Sequence, residues 1–394
     1  MKQETRRADV CVVGGGMAGL VAALAAARHG ARVVLIQDRP VLGGNASGEI
    51  RMHICGAHGP DNRETGILEE ILLENHYRNP QTNYSIWDGL LYGKALVQPR
   101  LELALNCSVN DCRMDGNRIV SVTGWQLTTE TRLTVEAGLF VDASGDGILA
   151  PLSGAEFRLG REARAEFDES IAPVEGDRKT MGMSCLFQAR EYATPQTFIS
   201  PDWAYRFTKP EDLNGRGCHL RKTNFWWMEV GGEQDTIHDT ERLRDELVKI
   251  AYGVWDYIKN HAPDREEFSH WALDWMGYLP GKRESRRYVG DHVLRQSDIE
   301  AGGRFDDRVC YGGWSMDDHF PAGFYHPEQG TIFHPAPSPY GIPYRSLYSR
   351  NIANLFCVGR CHSATHVAMS STRVMATTSG MGQAAGTAAA LAIR

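Results

Sequence analysis

The chain has 394 residues, of which 42% are hydrophobic and 23% are charged, and its formal net charge at pH 7 is −7. This composition is typical of a globular protein with more than one core, and it argues against intrinsic disorder. The acidic balance and the absence of any block of five like charges exclude the basic footprint of a protein that binds nucleic acid or an anionic membrane.

The termini and the cysteines lead to further expectations. No apolar run is long enough to span a bilayer, and the polar residues before Asp9 lack the features of a secretory signal, so we expect a cytoplasmic protein. The nine cysteines form no C-x-x-C pair. They are therefore expected to be free thiols rather than a disulfide framework.

The first forty residues have the pattern of a strand, a helix and a second strand. Residues 8–13 form a short apolar run typical of a buried parallel strand, and the alanine-rich stretch 20–29 favours a helix. Gly30 occupies the position where a glycine ends a helix, and residues 32–36 supply the second apolar run. The sequence therefore predicts a βαβ unit of the usual length, about 30 residues.

A glycine-rich loop of the form G-x-G-x-x-G joins the first strand to the helix and consists of Gly14, Gly16 and Gly19. The first glycine permits a tight turn, the second lets the backbone approach a pyrophosphate, and the third lets helix and strand pack closely. The N-terminus of the helix would then face the phosphates. In this strand–loop–helix context the motif predicts a dinucleotide site.

The end of the second strand is where an acidic residue usually binds the ribose of the dinucleotide. Gln37 stands in this region and is followed by Asp38. The Gln37 amide can both donate and accept hydrogen bonds, whereas a surface turn would present Asp38 instead, so both interpretations stay open. Gly43 and Gly44 come soon after and indicate either backbone lying against a ligand or a plain loop.

Two helices and a small sheet are expected next. Residues 65–76 and 96–105 are predicted to be helical. Between residues 107 and 142, short apolar runs alternate with turn residues, which predicts an antiparallel meander. Residues 139–143 are again typical of a buried strand.

Residues 155–330 have a different composition, because seven of the nine tryptophans lie there. Packing in a core explains these rings better than stacking on a ligand does. A helix is expected over 240–260, where apolar residues recur at helical spacing after a potential N-cap at Asp239. Residues 354–358 predict a buried strand, and the small residues from Met369 onward predict a helix. Both patterns are like those of the first forty residues.

Four segments together resemble a known family. They are QDRPVLGGNAS at 37–47, VDASGDG at 141–147, PGKRESRR at 280–287 and SSTRVMAT at 370–377. These segments resemble the FAD-dependent oxidoreductases of the glutathione-reductase-type Rossmann superfamily, which are distantly similar to fumarate reductase flavoproteins. The resemblance extends over nearly the whole chain and implies FAD as the cofactor.

The residue patterns and the resemblance together predict an α/β fold. We expect a doubly wound Rossmann-type FAD-binding domain with a small antiparallel meander and an inserted α+β substrate domain. Residues 1–155 and 335–394 would form the two parts of the FAD-binding domain, and residues 156–334 would form the substrate domain. A small-molecule substrate would lie at their boundary, over the flavin.

The resemblance implies FAD contacts at particular positions along the chain. The implied contacts are Gly14, Gly16 and Gly19 at the pyrophosphate; Gln37, Asp38 and Arg39 on the adenosine side; Gly43, Gly44, Asn45 and Ser47 against the ribityl chain or ring; Val109 at the adenine; and Asp146 and Gly359 at the ribityl–phosphate end. Arg360 stands where many relatives carry an acid. Near Arg373 and Val374 a helix would begin whose N–H groups face the pyrimidine edge of the flavin and stabilise negative charge there.

Histidine and arginine side chains are the candidates for catalysis. His319 and His366 are predicted to be acid–base or substrate-binding groups, because histidine titrates near neutral pH. The alternative is that both are structural. Arg287 belongs to a cluster with Arg283 and Arg286 that would bind a carboxylate or stabilise a charged transition state, unless these arginines only form interdomain ion pairs.

Two groups of side chains resemble metal ligands: His53, Cys55 and His58, and Cys361, His362 and His366. Each group lacks a fourth ligand at the usual spacing, so we expect no metal site. Covalent attachment of the flavin through His53 stays open as an alternative.

The predicted reaction is hydride transfer between a small organic substrate and flavin N5, with a carbohydrate-like substrate favoured. No second G-x-G-x-x-G follows a later strand, so electrons would pass to an external acceptor, whose identity the sequence leaves open, rather than to a dedicated NAD(P)H domain. The alternatives are a flavin monooxygenase, a C=C reductase in which Arg287 donates the proton, and a flavin-binding scaffold without turnover. The sequence leaves open whether the chain forms a homo-oligomer.

Overall fold

The computed structural model describes residues 2–218 and 224–394, and a seven-stranded sheet forms its centre. Within the described residues the strands are β1 Lys2–Val13, β2 Val33–Ile36, β3 Leu101–Ala104, β4 Cys107–Asp115, β5 Arg118–Gln126, β6 Thr131–Asp142, β7 Phe157–Arg158, β8 Met183–Ser184, β9 Phe187–Glu191, β10 Glu229–Val230, β11 Trp271–Met276, β12 Gly281–Lys282, β13 Arg287–Tyr288, β14 Arg308–Gly312, β15 Met316–His319, β16 Thr331–His334, β17 Tyr340–Pro343 and β18 Leu355–Cys357. The helices are α1 Met17–Arg28, α2 Ile67–Arg78, α3 Tyr84–Leu96, α4 Leu149–Ser153, α5 Arg164–Phe167, α6 Thr240–Asp256, α7 Gln296–Glu300, α8 His366–Thr372 and α9 Met375–Ala392.

The sheet combines a parallel part with an antiparallel meander. Its strand order is β3-β2-β1-β6-β5-β4, and β18 pairs in parallel with β6. Strands β3, β2, β1 and β6 run parallel, whereas β4, β5 and β6 are antiparallel neighbours. The predicted α/β class, the first βαβ unit and the meander are therefore confirmed.

Helix α1 is buried between the sheet and α9, and small residues allow this close packing. A Cβ at Gly382 would lie 2.1 Å from the carbonyl oxygen of Ala18, and one at Gly386 would lie 2.1 Å from that of Ala22. The two helix backbones therefore nearly touch, which only residues without a Cβ permit. This contact fixes α1, and with it the glycine loop that precedes the helix.

The predicted helix over residues 96–105 is wrong. Helix α3 ends at Leu96, and the chain continues as β3, which pairs in parallel with β2 at the sheet edge. Pro99 explains the difference, because it lacks an N–H and disfavours helical backbone at the residue before it. The first strand also begins earlier than predicted, at Lys2, because its polar half pairs with β6.

A separate hydrophobic core forms around α6 and contains residues between Met183 and Phe324. The apolar stripe of α6, which includes Leu247 and Ile250, is buried in this core as predicted. Asp239 occupies the N-cap position, but its side chain makes no capping hydrogen bond, because its Oδ2 accepts one from the backbone N–H of Asp235 instead. Across the described residues, no helix combines the length and apolarity needed to cross a membrane.

Candidate active site

A cavity of about 590 Å³ opens at the carboxyl ends of β1, β2 and β6. It contains most of the residues that the sequence assigned to the cofactor. The assigned residues in its wall are Gly14, Gly16, Gln37, Asp38, Arg39, Gly43, Gly44, Asn45, Val109, Asp146, Gly359, Arg360, Arg373 and Val374. Gly19 and Ser47 lie behind this wall.

The glycine loops form a shallow cradle on one side of the cavity. Gly14 has φ +101°, and a Cβ there would lie 2.4 Å from the carbonyl oxygen of Ala143. Gly44 has φ +59°, and its Cβ would lie 3.0 Å from the Cα of Gly16. Side chains would fill this cradle, so its glycines leave the backbone accessible to a ligand at the N-terminus of α1. Gly19 instead packs against the carbonyl of Gly14, where a Cβ would lie at 1.8 Å.

Arg39 has a guanidinium N–H donor without a hydrogen bond beside this cradle. Among the residues that the structure describes, its buried Nη1 has no hydrogen-bond partner, and the Glu49 carboxylate lies 3.5 Å away. Burial raises the pKa of Glu49 despite the nearby guanidinium. A buried donor without a partner is costly, so a ligand acceptor at Arg39 would satisfy it. The glycine cradle and this donor fit a dinucleotide.

The two candidates for the ribose are placed differently. Gln37 is 2% exposed, and its amide is used by backbone: Oε1 accepts from Gly15 N–H at 2.6 Å, and Nε2 donates to the Val41 carbonyl at 3.3 Å. Gln37 therefore holds the glycine loop in place. Asp38 has an exposed carboxylate at the cavity wall, 3.6 Å from the Arg39 guanidinium.

Arg360 forms an ion-pair cluster rather than standing alone in the cavity wall. Its Nη2 donates to Asp146 at 2.7 Å, and Lys282 Nζ donates to the other carboxylate oxygen at 2.7 Å. Burial opposes ionisation of Asp146, but the charges of Arg360 and Lys282 outweigh it and lower its pKa. The cluster explains how an arginine is accommodated at this point of the cavity wall.

His319 lies at the other end of the cavity and is held by two carboxylates. Its Nδ1 lies 2.6 Å from Glu229 Oε2, and its Nε2 lies 3.5 Å from Asp317 Oδ2. A carboxylate can only accept, so we place a proton on Nδ1. The side chain of His319 is 4% exposed, yet it remains in the cavity wall.

Two arginines complete this group. Arg283 Nη1 lies 3.5 Å from Glu229, and Arg373 Nη2 lies 3.3 Å from Asp317. Burial opposes ionisation of both carboxylates, but the arginines and His319 lower the pKa of each. Glu229 and Asp317 are therefore charged at neutral pH, and each balances one arginine.

Aromatic rings form the walls around His319. The Trp226 ring meets the His319 ring edge-on with centroids 5.4 Å apart, and Trp314 stacks on His58 at 4.3 Å. Phe333 also lines the cavity and is 57% exposed. Ring faces beside fixed polar groups suit a substrate that has both apolar and hydroxyl-bearing surfaces.

His366 and Arg287 lie outside the cavity, in a buried ion-pair cluster. His366 Nδ1 lies 2.8 Å from Glu284 and its Nε2 lies 3.1 Å from Asp318. Burial opposes protonation, but these two carboxylates raise the pKa of His366 to about 10. Arg287 is fully buried and pairs with Glu162 at 3.0 Å. Both side chains therefore lie in buried ion pairs and do not contact the cavity. This is the arrangement that a structural role predicts.

The two groups of side chains that resemble metal ligands in the sequence do not form metal sites among the described residues. Among the described residues, no group of three or more His, Cys, Asp or Glu side chains could hold a metal ion. His362 donates and accepts within the protein, since its Nδ1 lies 2.8 Å from the Gly359 carbonyl and its Nε2 lies 2.8 Å from Thr372 Oγ1. His53 lines the cavity beside Asn224, and burial together with Arg283 lowers its pKa. All nine cysteines are free thiols, as predicted.

The sequence analysis missed two side chains of the His319 group. Asp317 could have been found, because residues two apart in a strand point to the same face, and Asp317 and His319 are both in β15. The residue between them, Asp318, points the other way, toward His366. Glu229 carries no such signal, because it reaches His319 from β10, 90 residues away in the sequence.

One family model and several solved structures match this chain. A family model described as FAD dependent oxidoreductase matches residues 9–394. Among solved structures, L-proline dehydrogenase from P. horikoshii aligns over 37% of this chain and 24% of that chain, with 21% identity and a TM-score of 0.25. Quinol fumarate reductase FrdA from E. coli aligns over 99% of this chain and 71% of that chain, with 14% identity and a TM-score of 0.40. Sdh1 from Mycobacterium smegmatis aligns over 99% and 69%, with 13% identity and a TM-score of 0.41. The chain spans only part of each relative's length.

Proposed function

The chain belongs to the FAD-dependent oxidoreductase family, and from that premise we propose that it oxidises a hydroxyl group of a small, carbohydrate-like substrate. It is an enzyme whose cofactor is FAD. Bound FAD supplies the site with an acceptor for the hydride that leaves the substrate carbon. The observation that carries the proposal is that His319 and the glycine cradle line one cavity.

Different residues of the chain would bind different parts of FAD. Gly14, Gly16 and the N-terminus of α1 would bind the pyrophosphate, because backbone N–H groups and the helix dipole favour anions there. Arg39 would donate to the adenosine side, with Asp38 as the ribose acceptor and Gln37 as a brace for the loop. The Asp146 cluster would hold the ribityl end, and the N-terminus of α9 at Val374 would face the ring.

His319 would take the proton from the substrate hydroxyl. Its Nδ1–H donates to Glu229, so in the neutral ring Nε2 carries the lone pair, and Nε2 lies 3.5 Å from Asp317 Oδ2. The charged carboxylates of Glu229 and Asp317 lie beside the ring and would accept hydrogen bonds from its two N–H groups once Nε2 carries the proton. Arg283 and Arg373 keep the two carboxylates in place. The residues proposed to act on the substrate lie in the segment expected to form the substrate domain, residues 156–334. They are His319, Glu229, Asp317 and Arg283.

A substrate with several hydroxyl groups suits the surrounding walls. Trp226 and Trp314 offer aromatic surface, whereas Arg373, whose buried Nε has no hydrogen-bond partner among the described residues, offers a donor at the same end of the cavity. Aldoses and other polyols have both apolar C–H faces and directed hydroxyls, so they match both kinds of wall.

The test is anaerobic mixing of the FAD-loaded protein with a panel of sugars, polyols and hydroxy acids. We expect at least one sugar or polyol to bleach the visible flavin band without any other reductant. Bleaching only by NAD(P)H would support a monooxygenase or a C=C reductase instead. No bleaching by any compound of the panel would contradict the proposal.

A further inference from the structure

Exposed aromatic side chains gather on the solvent side of α6. The Trp203 ring meets the Tyr252 ring edge-on at 4.8 Å, and the Tyr252 hydroxyl lies 3.2 Å from that of Tyr278. Trp203 is 51% exposed and Tyr278 is 53% exposed. We call Trp203, Tyr252 and Tyr278 the aromatic platform. Large rings exposed in contact with one another commonly mark a binding surface.

Glu246 has a carboxylate of fixed orientation on the same helix, six residues before Tyr252, which is about one and two-thirds helical turns. Glu246 Oε1 accepts from the hydroxyl of Tyr205 at 2.7 Å and also from that of Tyr325. Tyr205 is tied to the helix, because its N–H donates to the Lys249 carbonyl at 3.2 Å. This arrangement holds polar groups in place on the helix that carries Tyr252, and Tyr205 links them to the chain two residues after Trp203.

The platform is continuous with the cavity. Tyr278 is followed directly in the chain by Leu279, Pro280 and Gly281, and all three line the cavity. The same helix reaches the cavity at its first residue, Thr240. A molecule that extends out of the cavity along this side would therefore meet Tyr278 first and Trp203 last.

We propose that the aromatic platform binds the outer units of a carbohydrate chain whose terminal unit enters the cavity. This inference rests on the proposed function, and it makes the substrate an oligosaccharide or polysaccharide end rather than a free sugar. Aromatic faces pack against the C–H faces of sugar rings, while the phenol hydroxyls and Glu246 bind sugar hydroxyls. The mixture of exposed rings and oriented oxygens favours a sugar chain over a protein partner, whose interface core would be depleted of charge.

The first experiment measures binding alone. FAD-loaded protein is run by affinity electrophoresis in gels that contain laminarin, mixed-linkage β-glucan, xylan or soluble starch. We expect one of these polysaccharides to retard the wild type, and the double variant Trp203→Ala/Tyr278→Ala to lose about tenfold or more in affinity, because it removes both exposed rings. Tyr77→Ala is the matched control, because Tyr77 is 82% exposed on α2.

The second experiment measures chain-length preference. The ratio of kcat/KM for an oligosaccharide to kcat/KM for its terminal monosaccharide should fall in the double variant and stay unchanged in Tyr77→Ala. A wild type that no polysaccharide retards, or a double variant with unchanged retardation and an unchanged ratio, would overturn the inference. Loss of self-association or of protein binding without loss of sugar binding would also overturn it.

The two proposals can fail separately. If polysaccharide binding depends on the platform but no sugar reduces the flavin, the platform stands as a binding site and the proposed reaction is wrong. If free sugars reduce the flavin and the platform variant binds as well as the wild type, the reaction stands and the inference about the platform is wrong.

Discussion

Replacing His319 is the sharpest test of the proposed chemistry. The side chain is almost completely buried, and its Nδ1 is fixed 2.6 Å from Glu229, so a substitution removes an oriented base rather than a mobile one. A positioned general base contributes about 10²–10⁴-fold to a rate. That factor corresponds to roughly 3–5 kcal/mol of activation free energy. We therefore expect His319→Gln to slow substrate-dependent reduction by that factor.

The assay is anaerobic stopped-flow reduction of the flavin by the best substrate of the panel. FAD content and thermal stability are measured in parallel, because the variant must still hold its cofactor. His76→Gln serves as the control, since His76 is exposed on α2. In His319→Ala, added imidazole should restore part of the rate, which it would not do if His319 acted only in folding. A His319→Gln variant that reduces within threefold of the wild type would refute the role of His319.

Three further tests address the cofactor loop, the buried cluster and the helix contact. Gly14→Ala forces a side chain into left-handed backbone at φ +101° and places its Cβ 2.4 Å from a carbonyl oxygen, so we expect protein that purifies without FAD; full occupancy would contradict the cradle. The pKa of His366 is raised to about 10 in the folded state, so its stabilising contribution is complete below its unfolded pKa of about 6.5 and is lost as the pH rises through 10. The difference in unfolding free energy between wild type and His366→Gln should therefore shrink between these pH values, and a constant difference would contradict the assignment. Gly386→Ala would push a Cβ within 2.1 Å of the Ala22 carbonyl and should lower Tm, whereas Gly93→Ala, which meets no described atom within 4 Å on α3, should stabilise by up to about 1 kcal/mol. Equal Tm values for the two glycine variants would count against the close packing of α1 and α9.

The nucleotide-binding half of the fold was accessible from the sequence because its signals are local. A strand, a glycine loop and a helix occupy adjacent positions, and each element has its own pattern of spacing. Gly14 and Gly16 could be placed in the wall of a cavity for this reason. Pro99 was a local signal too, because a helix over residues 96–105 would have to hold this proline in its interior.

The group around His319 was harder to predict because it is assembled from distant segments. His319 lines the cavity, and its predicted acid–base role stays a prediction, but its partner Glu229 lies 90 residues earlier in the chain. His366 was predicted to be an acid–base or substrate-binding group, yet the start of α8 turns its side chain toward Glu284 and Asp318. Periodicity describes which face of an element a residue occupies, and it does not describe which other element covers that face.

The balance of charge around His319 gives the physical reason to assign it the proton. Glu229 and Arg283 form one pair and Asp317 and Arg373 form another, so these four side chains carry no net charge together. His319 contacts both carboxylates and is the member of the described group that can gain a proton without leaving either arginine unbalanced. In the proposed reaction, a proton accepted at Nε2 would give the group one positive charge. Replacing Glu229 by Gln would remove that balance, so the same loss of rate should appear there while the His319 ring remains in place.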